Sequence, residues 1–317
     1  MATTRVLFAA PEKAWGGILD RFKQALPDIE FVAAGFNPTS LAGFDVVIPT
    51  MSAIDRSLIE TADRLKLIQQ VGAGLEGVDL DAAREHDIAV ANVPTDVSGN
   101  ADSVAELVIY YLIALARRTR EHGVQLSHRR LGVPVGQSLH GKRIGLVGFG
   151  AISQAVSRRL VPFGVSQCAI KRTPDEALQK RFGLEWLGGK DQLGQLLAES
   201  DFTVLCLPDE ADSHHMINEH TLAVMKPGAF LVNVGRGGLI DREALLTALK
   251  SGQLAGAALD VFWEEPPDPD DPVFAQNVLA SPHVAGVTER SLAGIFKVAA
   301  DNIEQLVQGR AVNHRRV

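Results

Sequence analysis

Cysteine is nearly absent: the 317 residues contain only Cys168 and Cys206. Each sits inside an apolar, strand-like run, where a thiol serves as a small core side chain, so neither a disulfide framework nor a cysteine metal site is expected. A reducing compartment, the cytoplasm, is implied. Excess positive charge is also missing, and a net charge of -7 gives nucleic acid nothing to hold while leaving small-molecule partners open. No apolar run is long enough for a membrane. The longest, Val104 to Ala116, is interrupted by Glu106 and falls short of the ~20 residues that a spanning helix needs. The N-terminal MATTRVLFAAPEKAW is too briefly apolar before Pro11 and Glu12 to act as a signal peptide. The adjacent His214 and His215 have no Cys, Asp or Glu at a ligand spacing, so no metal is expected. What is there is an ordinary globular composition, 46% hydrophobic and 22% charged. Its length suits two domains, because single cores tend to split above about 250 residues.

From Arg5 to Val93, the runs RVLFAA, IEFVAAG, DVVIPT, LKLIQQVG and IAVANV alternate with helical segments such as Ala14 to Ala25 and Leu80 to His86. This alternation predicts a parallel sheet covered by helices on both faces. After the fourth run comes VGAGLEGVDL, where amides freed around Gly72 and Gly74 can hold a carboxylate. A plain strand-to-helix turn reads the same. The spacing of Val104, Leu107, Val108, Tyr111, Leu112 and Leu115 predicts one long helix from Asn100 to Arg120. A glycine-rich, looser stretch follows. A second alternating series then begins: RIGLVGFG, VSQCAI, LEWLG, DFTVLCLP, AFLVNVG, LAGAALDVF and NVLAS. The acidic EEPPDPDDP, Glu264 to Pro272, reads as an ordered surface loop, and Thr288 to Gln308 as a final helix returning to the first domain.

Within the second series, IGLVGFGAIS (Ile144 to Ser153) has the order strand, glycine turn, helix that a dinucleotide pyrophosphate needs at a helix N-terminus. Gly148 permits the tight turn and Gly150 lets the backbone approach the ligand. Ser153 stands where a third glycine is usual, so the turn alone does not decide. Three ionisable residues also follow strands of this series: Arg236 after AFLVNVG, Glu265 after LAGAALDVF and His283 after NVLASP. In an open parallel sheet these strand ends share one crevice with the glycine turn. An arginine can hold the carboxylate and carbonyl oxygen of a 2-oxo acid in a planar fork. A histidine can donate the proton that the new alkoxide needs, and a neighbouring carboxylate favours the imidazolium and orients the ring. Singly each has an ordinary structural reading; jointly they form a hydride-transfer site.

The second strand of the series ends in Lys171, Arg172, Thr173 and Pro174, with no acid to take a ribose 2'-hydroxyl. Arg172 and Thr173 can bind a 2'-phosphate with Lys171 as a neighbouring charge, which points to NADP(H), with NAD(H) possible.

The motifs VGAGLEGVDL, SVAEL, GKRIGLVGFGAIS, LCLP, MKPGAFLVNVGRGGLID, GAALDVFWEEP and SPHVAG together resemble the D-isomer-specific 2-hydroxyacid dehydrogenases, in the order found in that family. The resemblance implies an α/β fold of two Rossmann-like, doubly wound parallel-sheet domains. One is a discontinuous, flavodoxin-like substrate domain (1–98 and 287–317), the other an NAD(P)-binding domain (99–286). It implies Arg236 as the substrate-binding arginine, Glu265 as the partner of the histidine and His283 as general acid and base. Gly72, Ala73 and Gly74 match the carboxylate-binding turn; independently of the resemblance, Met51 and Ser52 after DVVIPT, with Leu75 and Trp263, are expected to shape a mixed, partly apolar pocket for the substrate. The cofactor would be met by Val104, Gly148, Phe149, Gly150, Ala151, Ile152, Leu207, Pro208, Val234, Gly235, Arg236, Asp260, His283 and Gly286, with Asp260 on the nicotinamide carboxamide. The expected activity is reduction of glyoxylate, hydroxypyruvate or a similar 2-oxo acid by a homodimer, with the long helix a candidate contact. Glu265 separates the chain from the similar formate dehydrogenases, which have an amide there. Phosphite oxidation and a dinucleotide-sensing corepressor are the rival readings. Two departures stand out: Ser153 either loosens helix packing or adds a hydroxyl near the phosphates, and Trp263 either walls the site or merely packs.

Overall fold

Both faces of a helix-covered parallel strand are buried, so apolar residues run on without a break and successive side chains enter opposite cores. A computed structural model, which describes residues 3–317, shows this in two units, one ending at Asn100 and completed by Val287–Val317, the other Ala101–Gly286. In the first unit, strands β1 (Arg5–Phe8), β2 (Glu30–Ala33), β3 (Val46–Ile48), β4 (Leu67–Gln69) and β5 (Ala89–Ala91) form a parallel sheet in the order β2-β1-β3-β4-β5. Val6, Phe8, Val46 and Ile48 enter one core. Leu7, Val47 and Ile68 enter the other. The segment from Ala14 to Ala25 is less regular than expected, because Trp15, Gly16 and Gly17 take positive φ and the helix proper follows them.

The second unit opens with helix α1 (Asn100–Ala116), whose Val104, Val108, Tyr111, Leu112 and Leu115 lie on its buried side. The helix stops four residues short of the expected Arg120. Arg118 turns left-handed (φ 54°), and the Arg120 guanidinium is drawn to the carbonyls of Phe274, Gln276 and Val278. Strands β6 (Arg143–Val147), β7 (Ser166–Ile170), β8 (Trp186–Gly188), β9 (Phe202–Leu205), β10 (Ala229–Asn233), β11 (Leu254–Leu259) and β12 (Val278–Ala280) then form a seven-stranded parallel sheet. Its order, β12-β11-β10-β9-β6-β7-β8, reverses between β6 and β9. Ligands of doubly wound sheets bind at such a reversal, beyond the carboxyl ends of the strands. Helix α2 (Ala151–Leu160) starts there, directly after β6.

The final helix, α3 (Glu289–Val307), belongs to the first unit. Thr288 caps it by accepting from the Ser291 amide at 3.2 Å, and Ile295, Ala299 and Ile303, one face at helical spacing, enter the core beside β1 and β3. Asn302 fixes its register with buried hydrogen bonds to the Gln69 side chain and the Asn313 backbone.

Candidate active site

Gly148 takes φ +85°, and a Cβ there would sit 2.9 Å from the Cys206 carbonyl oxygen, so both conformation and space demand glycine. The turn leads into α2 through Gly150, beside which a Cβ would meet nothing within 4 Å. No side chain caps this helix, so its first-turn amides are left for a ligand, and an anion suits the positive end of the helix dipole. A dinucleotide pyrophosphate fits these features. Phe149 is buried edge-on to Phe182, while Ala151 and Ile152 pack against the same core. Ser153 is fully buried and donates to the Gly148 carbonyl. Its hydroxyl is thus spent on locking the turn and is not offered to the phosphates.

On the other side of the reversal, Lys171 continues the ladder through its amide to Gly188, and Arg172 projects into solvent. An unforeseen partner meets Arg172: Glu210, from the segment after β9, forms an ion pair with it. The Glu210 segment is fastened by Ser213, which donates to the Pro208 carbonyl at 2.9 Å. Nearby, His214 stacks on His215 with ring centres 4.0 Å apart and faces Asp209 at 3.2 Å, an acid that sequence spacing did not connect with it.

Beyond β10, Asn233 holds the turn that presents Arg236. Its side chain accepts from the Gly235 amide at 3.0 Å and donates to the Arg236 carbonyl at 2.8 Å. The next residue, Gly237, lies so close to the Phe262 backbone that a Cβ would collide with it. The Arg236 turn and the loop carrying Glu265 are therefore in contact. Trp263 strengthens this junction by donating from its indole to the Ile240 carbonyl at 2.6 Å, so it packs as a tie between the two loops.

His283 donates from Nδ1 to Glu265 Oε2 at 2.7 Å, and the other carboxylate oxygen accepts from the Phe262 amide at 3.1 Å. Burial works against the charge on Glu265, but hydrogen bonding to His283 and the positive charges of His283 and Arg236 outweigh it, so its pKa is lowered. The carboxylate stays ionised at neutral pH. His283 has φ 53°, a strained conformation for a side chain larger than Gly, and its amide is held by the carbonyls of Asp260 and Ser281, each at 2.9 Å. With Nδ1 engaged, Nε2 is the nitrogen left to exchange a proton.

A family model described as "D-isomer specific 2-hydroxyacid dehydrogenase, NAD binding domain" matches residues 109–285, more than half of the chain. The chain belongs to this family. It is 36% identical to a glyoxylate reductase from Thermococcus onnurineus over 269 residues, covering 82% of this chain and 78% of that protein. A crystal structure of a Thermus thermophilus protein superposes with a TM-score of 0.85 at 32% identity, covering 99% of this chain and all of that one. The apo-structure of an Escherichia coli D-lactate dehydrogenase gives a TM-score of 0.82 at 27% identity over 99% of this chain and 100% of that chain.

As a D-isomer specific 2-hydroxyacid dehydrogenase the protein is an oxidoreductase with a nicotinamide dinucleotide cofactor, and its candidate residues fall into separate groups. Gly148 to Ile152, Leu207, Pro208, Val234 and Gly235 line the strand ends of the second unit, which also holds Arg236, Asp260, Glu265, His283 and Gly286. Val104 is 5% exposed and faces the core from α1. Asp260 is almost fully buried. Its carboxylate accepts from the Val284 amide (2.9 Å), the Ala285 amide (3.0 Å) and the Ser281 hydroxyl. Burial raises its pKa against the pull of these three donors. In the first unit, Gly72 to Leu75 follow β4, and among the described residues none of their four amides donates a hydrogen bond. The turn is pinned by Asn92, which donates to the Ala73 carbonyl at 2.6 Å. Met51 is half exposed after β3, whereas neighbouring Ser52 is buried and donates to the Ala9 carbonyl.

Proposed function

We propose that this dehydrogenase reduces a small 2-oxo acid, glyoxylate, hydroxypyruvate or a close analogue, to the D-2-hydroxy acid, with NADPH as its preferred reductant. The observation that carries this reading is the 2.7 Å pairing of His283 with a Glu265 held in its charged form. The bound cofactor supplies a hydride to the carbonyl carbon. Arg236 holds the carboxylate and the carbonyl oxygen; within the first unit taken by itself, the unspent amides of Gly72–Leu75 suit a carboxylate. His283 delivers a proton from Nε2 to the carbonyl oxygen as it gains charge, while Glu265 balances the imidazolium. Met51 and Leu75 shape the pocket for the substrate's side chain. The first unit then serves as substrate domain and the second as cofactor domain.

NADPH preference rests on Arg172 and Thr173 just past the end of β7, where residues 171–174 include no acid. A 2'-phosphate replaces the Glu210 carboxylate on the Arg172 guanidinium, exchanging one anion for a more highly charged one. We further propose a cytoplasmic homodimer, supported by exposed apolar residues in one stretch of the second unit, Val124, Leu126, Leu131 and Val135, and by Tyr110 and Ile113 on α1.

A turnover assay tests the reading. The purified protein is given NADPH or NADH with a panel of 2-oxo acids, and NADP with phosphite in the oxidising direction. The expected result is turnover of at least one 2-oxo acid, with kcat/KM for NADPH about tenfold or more above NADH, the value of one charge-assisted contact. A clear NADH preference overturns the cofactor assignment, and turnover of phosphite alone overturns the substrate class.

A further inference from the structure

The loop that carries His283 is anchored by polar groups that the reaction itself does not use. Tyr111, from the middle of α1, is 2% exposed within an apolar core, and its hydroxyl meets the Ser281 hydroxyl at 2.5 Å. Ser281 in turn donates to Asp260 Oδ1. The direction of this chain follows from elementary bookkeeping. An ionised carboxylate only accepts, so the single Ser281 proton points to Asp260, and the Ser281 oxygen must accept from Tyr111. Burial, with the negative charge of Asp260 beside it, raises the Tyr111 pKa, so the phenol keeps the proton it donates. The same carboxylate receives the amides of Val284 and Ala285, and the Asp260 carbonyl receives the amide of His283. Four donors of the Ser281–Ala285 loop thus converge on Asp260. A buried carboxylate survives in charged form only while such donors are present.

We infer that Tyr111 and Ser281 are positioning residues: their hydroxyls, relayed in series, hold Asp260 ionised and so keep His283 in its left-handed conformation against Glu265. The titratable groups that face Asp260 are Tyr111 from α1 and His283 from its own loop, and Glu265 and Arg236 complete the charged set of the site. Loss of the relay lets Asp260 take up a proton within the working pH range. A protonated Asp260 accepts more weakly from these three donors and adds a proton of its own among them. The loop then loosens, and the negative charge that supports the imidazolium disappears. The inference rests on the proposed role of His283, and its consequence is a pH signature.

The test compares wild type, Ser281→Ala, Ser281→Thr and Tyr111→Phe in full-length protein, by the pH profile of kcat/KM and by NADPH fluorescence binding over the same range. For Ser281→Ala a new acidic limb is expected. Its activity falls about tenfold relative to wild type near pH 6 and less than about twofold near pH 8, as Asp260 takes up a proton across that range. Tyr111→Phe, which preserves shape, gives the same limb with smaller amplitude, and Ser281→Thr, which keeps a hydroxyl, restores the wild-type profile. Equal losses at every pH, or no loss, overturn the inference. If wild type turns over no 2-oxo acid, the reading of the function has failed instead. The relay is then judged from cofactor binding, where an acid-side weakening in Ser281→Ala supports it and a profile parallel to wild type overturns it.

Discussion

A carboxylate 2.7 Å from one imidazole nitrogen orients the ring and also stabilises its charged form. Glu265→Gln keeps an oxygen for the hydrogen bond but removes the charge, so it separates these two effects. In the variant kcat/KM for 2-oxo acid reduction should fall about tenfold or more while dinucleotide affinity changes little, measured by steady-state kinetics and cofactor binding. Wild-type Glu265, whose pKa is lowered, contributes fully above the ordinary carboxylate range. Its contribution is lost only as pH falls through that lowered value, so no acid-side loss from Glu265 is expected between about pH 5 and 8. His283→Ala, by contrast, removes the proposed acid itself. It should lower kcat about a thousandfold with little change in NADPH affinity; retained turnover would take His283 out of the mechanism. Arg236, Glu265 and His283 were legible as candidates in the sequence because each follows an apolar run at a strand end. Their supports were not: Glu210 is 38 positions from Arg172, and Ser281 is 170 positions from Tyr111. A hydroxyl or an acid in such a pair has no local pattern to betray it.

At the scale of elements, the two loops that present Arg236 and Glu265 are set by the close packing of Gly237 on the Phe262 backbone and by the Trp263–Ile240 hydrogen bond. Gly237→Ala should force these loops apart. A several-fold to hundredfold loss of kcat/KM is expected, in keeping with the sensitivity of catalysis to displacements of about 1 Å, while affinity for the dinucleotide, proposed to be held at the turn of Gly148, changes little. Unaltered kinetics would show that the contact is slack. Strands were readable because fully buried strands are written as apolar runs bounded by turn residues, as in RVLF, LVN and GAAL. The end of α1 was not readable. Arg117, Arg118 and Arg120 suit a helix C-terminus by charge, yet Arg120 finds carbonyl partners more than 150 residues away, and the chain leaves the helix at Ala116. Long-range satisfaction of backbone carbonyls overrides local propensity. Ser153 shows the converse, a departure from the usual glycine whose hydroxyl the turn itself absorbs.

For the whole molecule, the exposed stretch of the second unit predicts self-association. Leu131 is 90% and Val135 79% exposed, an unusual cost for a monomer's surface. Replacing both with glutamate should convert the proposed dimer to a monomer by light scattering coupled to size-exclusion chromatography, and an unchanged mass would place the contact elsewhere. The discontinuity of the first unit has a different consequence, one of timing. Domains generally fold as they leave the ribosome, earlier ones first. Here the five strands of the first unit emerge early, yet one core of their sheet needs Ile295, Ala299 and Ile303 from α3, and β5 needs the Arg316 amide, which donates to the Val90 carbonyl at 2.7 Å. The contiguous second unit is synthesised whole in between. It can complete its core while the earlier strands still wait, so the part of the protein begun first is the part finished last.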